Sequence, residues 1–527
     1  MKVDRCSLAI LCGGKSSRLG TDKGLFAPLG DESLIARGIR LWGQGFAEIL
    51  VVVRDQVQKD HYSSILPNDR RIRMVTDDDR GSYLNHVQAT LTGVLTAVAA
   101  SEMERVVIVP VDQVGVQREF LSNLLSQWKH LETTGACYWD ENHLLPFPSV
   151  WSKRSLPILE ARLQAGSMSV TQCLRDQQVS QVALGRRSGL KINANSQKDM
   201  NQYFGSPLFD TSQRRLHYLR FSLTEACNMS CTYCLPEGYP QWYKYRAKLN
   251  FSQICTILKG FRRLGFRKVR FTGGEPLVHP KLLDSIQAAK DIGFETVALT
   301  TNGVLIKKVS QLKEAGLDQI NFSLDTLDPK THQKITKNHQ HGLLLRNIDT
   351  SLGLNLTVKI NTVFLRTVNW LECDRLIEWG LSLKLVLRFI ELMPTGLNRS
   401  FFQQEKVSGD EILPKLISRG LRVVSVAPSA GVITGPAVEY GSLNDLGRIG
   451  MINPLSCNFC HSCNRLRVTA RGGLRLCLFG DGSLPLPLES EEGVAQAVRV
   501  AVAGKRDQHY LAQGDMGDVA TFRTIGG

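Results

Sequence analysis

No apolar run in this chain approaches the ~18 to 20 residues that a helix needs to cross a bilayer, which excludes a helical membrane protein. Its start passes from Met1 into the apolar stretch Ser7 to Leu11 without a secretory h-region or an Arg- and Ser-rich transit segment, so a cytoplasmic protein is expected. Repeats and low-complexity tracts are absent, and 43% hydrophobic with 21% charged residues excludes disordered, collagen-like and mucin-like classes. No block of Lys and Arg interleaved with aromatics occurs, so neither a nucleic-acid partner nor a membrane surface is expected. A disulfide framework is excluded too: the 13 cysteines are odd in number and sit in a long chain without a secretion signal.

What is present is enough chain, at 527 residues, for about three to four domain-equivalents. The net charge of +15 is unevenly shared. Up to residue 205 there are 24 Lys and Arg against 21 Asp and Glu, and beyond it 40 against 28, giving +3 and then +12. Scattered arginines in the second part suit a small phosphorylated ligand.

Seven cysteines fall into two groups. The first, Cys227-x-x-x-Cys231-x-x-Cys234, follows the β-rich stretch Leu216 to Leu223. Structural zinc takes four ligands, commonly as two separated pairs, so a lone trio at this spacing fits it poorly. A cubane 4Fe-4S cluster held by three thiolates keeps one iron open to a chelating ligand, the requirement for binding S-adenosylmethionine through its amino and carboxylate groups. An electron from the cluster then splits the sulfonium and releases a 5′-deoxyadenosyl radical. The second group is Cys460, Cys463 and Cys477, with Cys457 three residues ahead; a four-cysteine zinc site is an alternative reading of that spacing.

Around the first trio the sequence resembles radical-SAM enzymes, with the aromatic Tyr233 inside the cysteine run and Gly273-Gly274-Glu275-Pro276 about 40 residues on. The glycines are expected to let the backbone approach a ligand closely. Strand-like runs at Tyr218–Leu223, Val269–Thr272, Thr296–Thr300, Gln319–Leu324, Thr357–Val363 and Val386–Leu392 alternate with helical lengths. They predict a partial (β/α)6 TIM-type barrel, with its active site at the strand C-termini.

Further on, Cys460-His461-Ser462-Cys463-Asn464-Arg465-Leu466-Arg467, Cys477, Gly435-Pro436-Ala437 and the closing Ile525-Gly526-Gly527 resemble the GTP 3′,8-cyclase family of molybdenum cofactor biosynthesis. So do Thr300-Thr301-Asn302-Gly303, Asn321-Phe322-Ser323-Leu324-Asp325, Lys359-Ile360-Asn361 and Arg388 to Met393. The resemblance implies two 4Fe-4S clusters, on Cys227, Cys231 and Cys234 and on Cys460, Cys463 and Cys477. It implies S-adenosylmethionine at Tyr233, Gly274, Ser323 and Met393, and GTP at Arg220, Arg270, Thr300 or Thr301, Lys359, Arg465 and Arg467. The second cluster would hold the purine while the radical takes the ribose 3′ hydrogen and the ribose carbon attacks guanine C8. Arg465, Arg467 and the tail glycines Gly526 and Gly527 are implied as catalytic, with a reductant such as flavodoxin or ferredoxin, and a homodimer is compatible. A peptide-modifying radical-SAM enzyme with an auxiliary cluster is the rival class, disfavoured by a tail of only four cysteines.

The first part is α/β in rhythm and lacks both GxxxxGK[ST] and GxGxxG. Leu11-Cys12-Gly13-Gly14-Lys15, then Arg18, Gly20 and Lys23, form a glycine turn after a strand, where backbone N–H groups meet phosphates. Asp112, at the end of the strand Val106–Val109, is placed to hold magnesium. This pattern, with Asp77 and the run Ile192 to Met200, resembles molybdenum cofactor guanylyltransferases. It implies a Rossmann-like domain binding GTP through Leu11, Cys12, Gly13, Lys23, Asp77 and Asp112, the last with Mg2+, and passing guanylyl to molybdopterin. Four positions depart from the family pattern: Arg54, Ala89 to Gly93, Asp112 to Val114, and Leu145-Pro146. They keep open an alternative, a non-catalytic nucleotide-binding or interaction module. The expected division is 1–205 transferase-like, 206–215 linker, 216–395 barrel and 396–527 a C-terminal cluster- and GTP-binding extension.

Overall fold

The computed structural model describes all residues except 1–4, 14–18, 20–21, 29–31, 78–89, 129–132, 141–142, 185–194, 197–198, 201–203, 237–248, 425–435, 443–446, 481 and 525–527. The chain forms two compact units, Met1–Phe204 and Gly205–Gly527. Among the described residues no helix is long and apolar enough to cross a membrane.

The first unit has strands β1 (Ser7–Leu11), β2 (Glu48–Val53), β3 (Ile72–Thr76), β4 (Arg105–Pro110), β5 (Gly135–Asp140), β6 (His143–Ser152) and β7 (Val179–Ala183). They pair in the order β3-β2-β1-β4-β6-β5-β7, with β6 antiparallel to both neighbours. Alternation along β1 sends Leu8 and Ile10 into one apolar layer and Ala9 and Leu11 into the other. A sheet covered on both faces needs such continuous apolar strands. The strand order reverses direction between β1 and β4, whose register pairs Leu11 with Pro110. Cys12-Gly13 and Val111-Asp112 therefore leave the sheet side by side, at the switch point where α/β sheets bind ligands.

The second unit opens with the short hairpin β8 (Leu208–Phe209) and β9 (Arg215–Leu216). Residues 206–215, expected to be a linker, are thus part of this fold. The buried Asp210 holds the buried Arg214 at 2.7 Å, and Arg214 donates to the Cys460 carbonyl at 2.9 Å.

Six parallel strands follow: β10 (Tyr218–Ser222), β11 (Lys268–Thr272), β12 (Thr296–Thr301), β13 (Gln319–Ser323), β14 (Thr357–Val363) and β15 (Val386–Ile390). Beyond them come β16 (Arg422–Val423), β17 (Val438–Gly441), β18 (Arg448–Ile452), β19 (Arg465–Val468), β20 (Gly473–Arg475) and β21 (Leu484–Pro485). Two of these lengthen the parallel row, β18 beside β15 and β19 beside β10. The C-terminal region therefore adds a parallel strand at each edge of the six. Residues 453–464, which carry Cys457, Cys460 and Cys463, run from one edge strand to the other. Where the helices Phe251–Arg263 and Glu491–Val502 meet, a Cβ on Gly260 would lie 2.6 Å from Val494 Cγ1, so only glycine permits that approach.

Candidate active sites

Barrel interiors are ordinarily filled by layers of branched apolar side chains. Here the inward positions that line the cavity are largely polar, and because residues two apart on a strand share a face, they converge on one space. Tyr218 and Arg220 pair across β10–β11 with Lys268 and Arg270, and across β10–β19 with Arg465 and Arg467. One cavity is lined by seven cationic side chains, Arg220, Lys268, Arg270, Lys359, Arg388, Arg465 and Arg467, and by no carboxylate among the described residues. Lys268, Arg270, Arg388 and Arg467 are buried and the other three half-buried.

Crowding like charges out of water destabilises them. Burial, with Arg388 and Lys268 nearby, lowers Lys359 to about 7. Burial and Arg270 act likewise on Lys268, bringing it to about 8 although the Tyr218 side chain opposes the shift. Burial lowers Arg220 and Arg388 to about 10 each. Burial would raise Tyr218, but Arg270, Lys268 and Arg220 outweigh it and bring the phenol to about 7. Its oxygen accepts from Arg270 Nε at 2.5 Å, while Arg270 Nη1 donates to Thr300 Oγ1 at 3.1 Å. Lys268 Nζ donates to Gln319 Oε1 at 3.1 Å.

Cys460, Cys463 and Cys477 line this same cavity, whereas Cys457 is exposed and does not. Cys477 and Cys463 both act electrostatically on Cys460. Burial opposes ionisation of Cys463, but Arg465 and Lys505 outweigh it and bring the thiol to about 7.

A second cavity adjoins the first, and Thr300, Asn361, Ile390 and Met393 line both. It holds Cys227, Cys231 and Cys234 together with Tyr233, Gly274 and Ser323. Burial and Cys234 push the Cys231 thiol well up, and Cys227 adds to the effect. Among the described residues no three His, Cys, Asp or Glu side chains close around a single metal ion. Three thiols facing one cavity and acting on one another suit a multi-atom cluster in both trios.

The glycine pair lines this second cavity and also packs tightly against the backbone ahead of Cys227. Gly274 N donates to Thr224 O and Glu275 N to Ala226 O, each at 2.7 Å. A Cβ on Gly273 would meet Thr224 O at 2.3 Å, and one on Gly274 would meet Ala226 O at the same distance. The close approach is thus to the backbone leading into Cys227, with Gly273 at φ 151°. Glu275 accepts from Thr301 Oγ1 at 2.7 Å and Asn302 N at 2.8 Å, tying the end of β11 to that of β12. Successive residues of a strand face opposite sides, so of the two threonines only Thr300 lines the cationic cavity. At the end of β15, Glu391 accepts from Leu455 N and from Ser456 Oγ, at 2.8 and 2.5 Å, fastening the segment that carries the second cysteine group. Gly526 and Gly527 lie outside the described residues, but Phe522 and Arg523 of the same tail line the cysteine cavity.

Sequence reading missed Lys268, Arg388, Tyr218 and Gln319 as site residues. The available signal was the repeated i, i+2 pairing of polar residues on successive strands.

In the first unit Lys23 Nζ lies 2.7 Å from Asp112 Oδ2 and donates to Asn195 Oδ1 at 2.6 Å. A Cβ on Gly13 would stand 3.2 Å from Asp77 Oδ2, so glycine admits that carboxylate. Asp22 accepts from Tyr62 OH at 2.7 Å and from Gln58, whose amide also donates to the Cys12 carbonyl. Leu11 and Cys12 have buried side chains, which leaves only main-chain atoms for a ligand. Of the departures, Arg54 donates to the neighbouring Asp55 at 2.6 Å, and Gln113 donates to the Phe147 carbonyl at 3.0 Å. Gly14, Arg18, Ala89 and Asn193 lie outside the described residues.

A parallel strand row with a cysteine trio on the first βα loop and a glycine pair after the second strand defines a radical-SAM protein. The sequence matches the Radical SAM superfamily over residues 221–380, Molybdenum Cofactor Synthesis C over 385–511 and the MobA-like NTP transferase domain over 8–181. A GTP 3′,8-cyclase of Pasteurella multocida is 38% identical over 329 residues, 61% of this chain and 96% of that protein. One from Synechococcus elongatus is 38% identical over 328 residues, 61% of this chain and 99% of its own length. The chain belongs to the GTP 3′,8-cyclase family and carries in addition a MobA-like nucleotidyltransferase domain. It is a two-part protein of molybdenum cofactor biosynthesis that works with S-adenosylmethionine and iron–sulfur chemistry. A solved molybdopterin-guanine dinucleotide biosynthesis protein A from Archaeoglobus fulgidus is similar at 18% identity and TM-score 0.32, over 37% of this chain and 95% of that one.

Proposed function

We propose that the second unit converts GTP to (8S)-3′,8-cyclo-7,8-dihydroguanosine 5′-triphosphate, using two 4Fe-4S clusters, one on each cysteine trio. The observation that carries this reading is the cavity with seven cations and, among the described residues, no carboxylate, joined through Thr300 and Met393 to the cavity of the first trio. A triphosphate brings about four negative charges, and arginine forks bind its oxygens bidentately. Arg220, Arg270, Lys359, Arg465 and Arg467 would hold the phosphates, with Lys268 and Arg388 beside them. Tyr233, Gly274, Ser323 and Met393 would contact S-adenosylmethionine. The first cluster supplies reductive cleavage of that sulfonium; the chain's share is to hold the ribose where the two cavities meet and to keep water out. Gly526 and Gly527 would complete the catalytic set. The exposed Cys457 supports a three-cysteine second site over a zinc ribbon.

In the first unit Lys23, Asp77 and Asp112 would bind GTP, Asp112 exchanging Lys23 for Mg2+ as phosphates draw the lysine away, for guanylyl transfer to molybdopterin. Flavodoxin or ferredoxin as reductant, and a homodimer, complete the proposal. The test is iron, sulfide and zinc content on anaerobically reconstituted protein, followed by GTP-dependent 5′-deoxyadenosine release. About eight irons with little zinc, and release that depends on GTP, are expected. About four irons with one zinc would overturn the second cluster.

A further inference from the structure

The last described turn, Phe522–Thr524, lies across the first cysteine loop. Arg523 is 4% exposed, and its Nη2 donates to the Met229 carbonyl, inside the cysteine run, at 3.2 Å. Thr521 Oγ1 stands 3.4 Å from Cys234 Sγ and 3.2 Å from the Cys234 carbonyl. The positive charge of Arg523 acts on both Cys227 and Cys234 and favours their thiolates. The carboxylates lining this cavity are Glu275, Asp325 and Glu391, and Arg523 is the one cation among its described residues.

We propose that Arg523 sets the reduction potential of the cluster on Cys227, Cys231 and Cys234, so that a seated C-terminal segment makes that site easier to reduce. The inference rests on the cluster assignment made above. One-electron reduction, from a low-potential donor protein or dithionite, adds a negative charge to the cluster–thiolate unit without breaking a bond. A fixed guanidinium held on the cysteine loop, in the same cavity as the three thiols, favours the more negative state, and strongly so where water is excluded. The neighbouring carboxylates act in the opposite sense.

The test uses the full chain with Cys460, Cys463 and Cys477 each changed to Ser, so that only the first site is read. Iron is counted and the midpoint potential is followed by EPR through a mediated dithionite titration, in this parent and with Arg523→Gln or Arg523→Lys added. About four irons are expected in all three. Arg523→Gln should titrate at a distinctly more negative potential, and Arg523→Lys should recover most of the difference. A Gln variant with full iron and the parent's midpoint overturns the proposal. So does a Lys variant displaced as far as Gln, or iron lost from the Gln variant alone, which would make Arg523 a packing residue. A parent that binds no iron fails the cluster assignment instead.

Discussion

Raising the pH should loosen the grip of the cationic cavity on GTP, and the size of the effect follows from three side chains. With Lys359 and Tyr218 near 7 and Lys268 near 8, at pH 8 Lys359 is about nine-tenths neutral, Lys268 about half, and Tyr218 about nine-tenths ionised. A bound triphosphate favours protonation of all three and so raises their pKa values. Binding at pH 8 therefore takes up at most about two protons, the sum of these fractions. By linkage the affinity falls by as much as about a hundredfold for each pH unit near pH 8, and it levels off below about pH 6, where all three are already protonated. Isothermal titration of reconstituted protein in HEPES and in Tris gives the proton count from the dependence of the heat on buffer ionisation. Lys359→Met should reduce the uptake by about one. A heat that does not depend on buffer, or an affinity flat from pH 7 to 9, would refute the reasoning, because the cavity would then not hold these groups in the states their burial imposes.

Gly274→Ala sets a Cβ 2.3 Å from the Ala226 carbonyl and should displace the loop into Cys227, with iron at the first site falling severalfold by colorimetric assay. Gly260→Ala, which meets Val494, should instead leave iron content intact and lower stability by about 1–3 kcal/mol in a denaturant melt. Gln213 stands at φ 58° in the hairpin turn, so Gln213→Gly should stabilise the second unit by about 0.5–1 kcal/mol in the same melt. Asp112→Asn removes the partner of Lys23 and should cut guanylyl transfer by at least about a hundredfold, while 5′-deoxyadenosine release stays unchanged.

Local spacing and period made the cysteine trios, the six barrel strands and the phosphate loop legible, because each is a short-range pattern with a chemical meaning. Lys268 and Arg388 stayed hidden: a single charged residue in a strand reads as solvent-facing until the register sets it against Tyr218 or Gly450. The hairpin 206–215 has a linker's composition, and it is the buried Asp210 and the distant carbonyls of Cys460, Arg506 and Asp507 that give Arg214 its role. The glycine pair was legible as a close approach, but its partner, the backbone of residues 224–226, was not. β18 and β19 were missed as members of the parallel row because the segment joining them holds no helix of crossover length.

That last feature has a temporal side. β10 is made early, and its outer neighbour β19 emerges about 240 residues later, roughly 12 to 48 s at ordinary rates of synthesis. Throughout that interval the nascent barrel carries an unpaired edge, the kind of surface that recruits foreign strands. The cationic cavity, too, lacks Arg465 and Arg467 until the ribosome has nearly finished. An interruption of translation between residues 390 and 465 would therefore release a chain with its first cysteine trio in place but an open, sticky barrel, a species for chaperones and proteases to recognise.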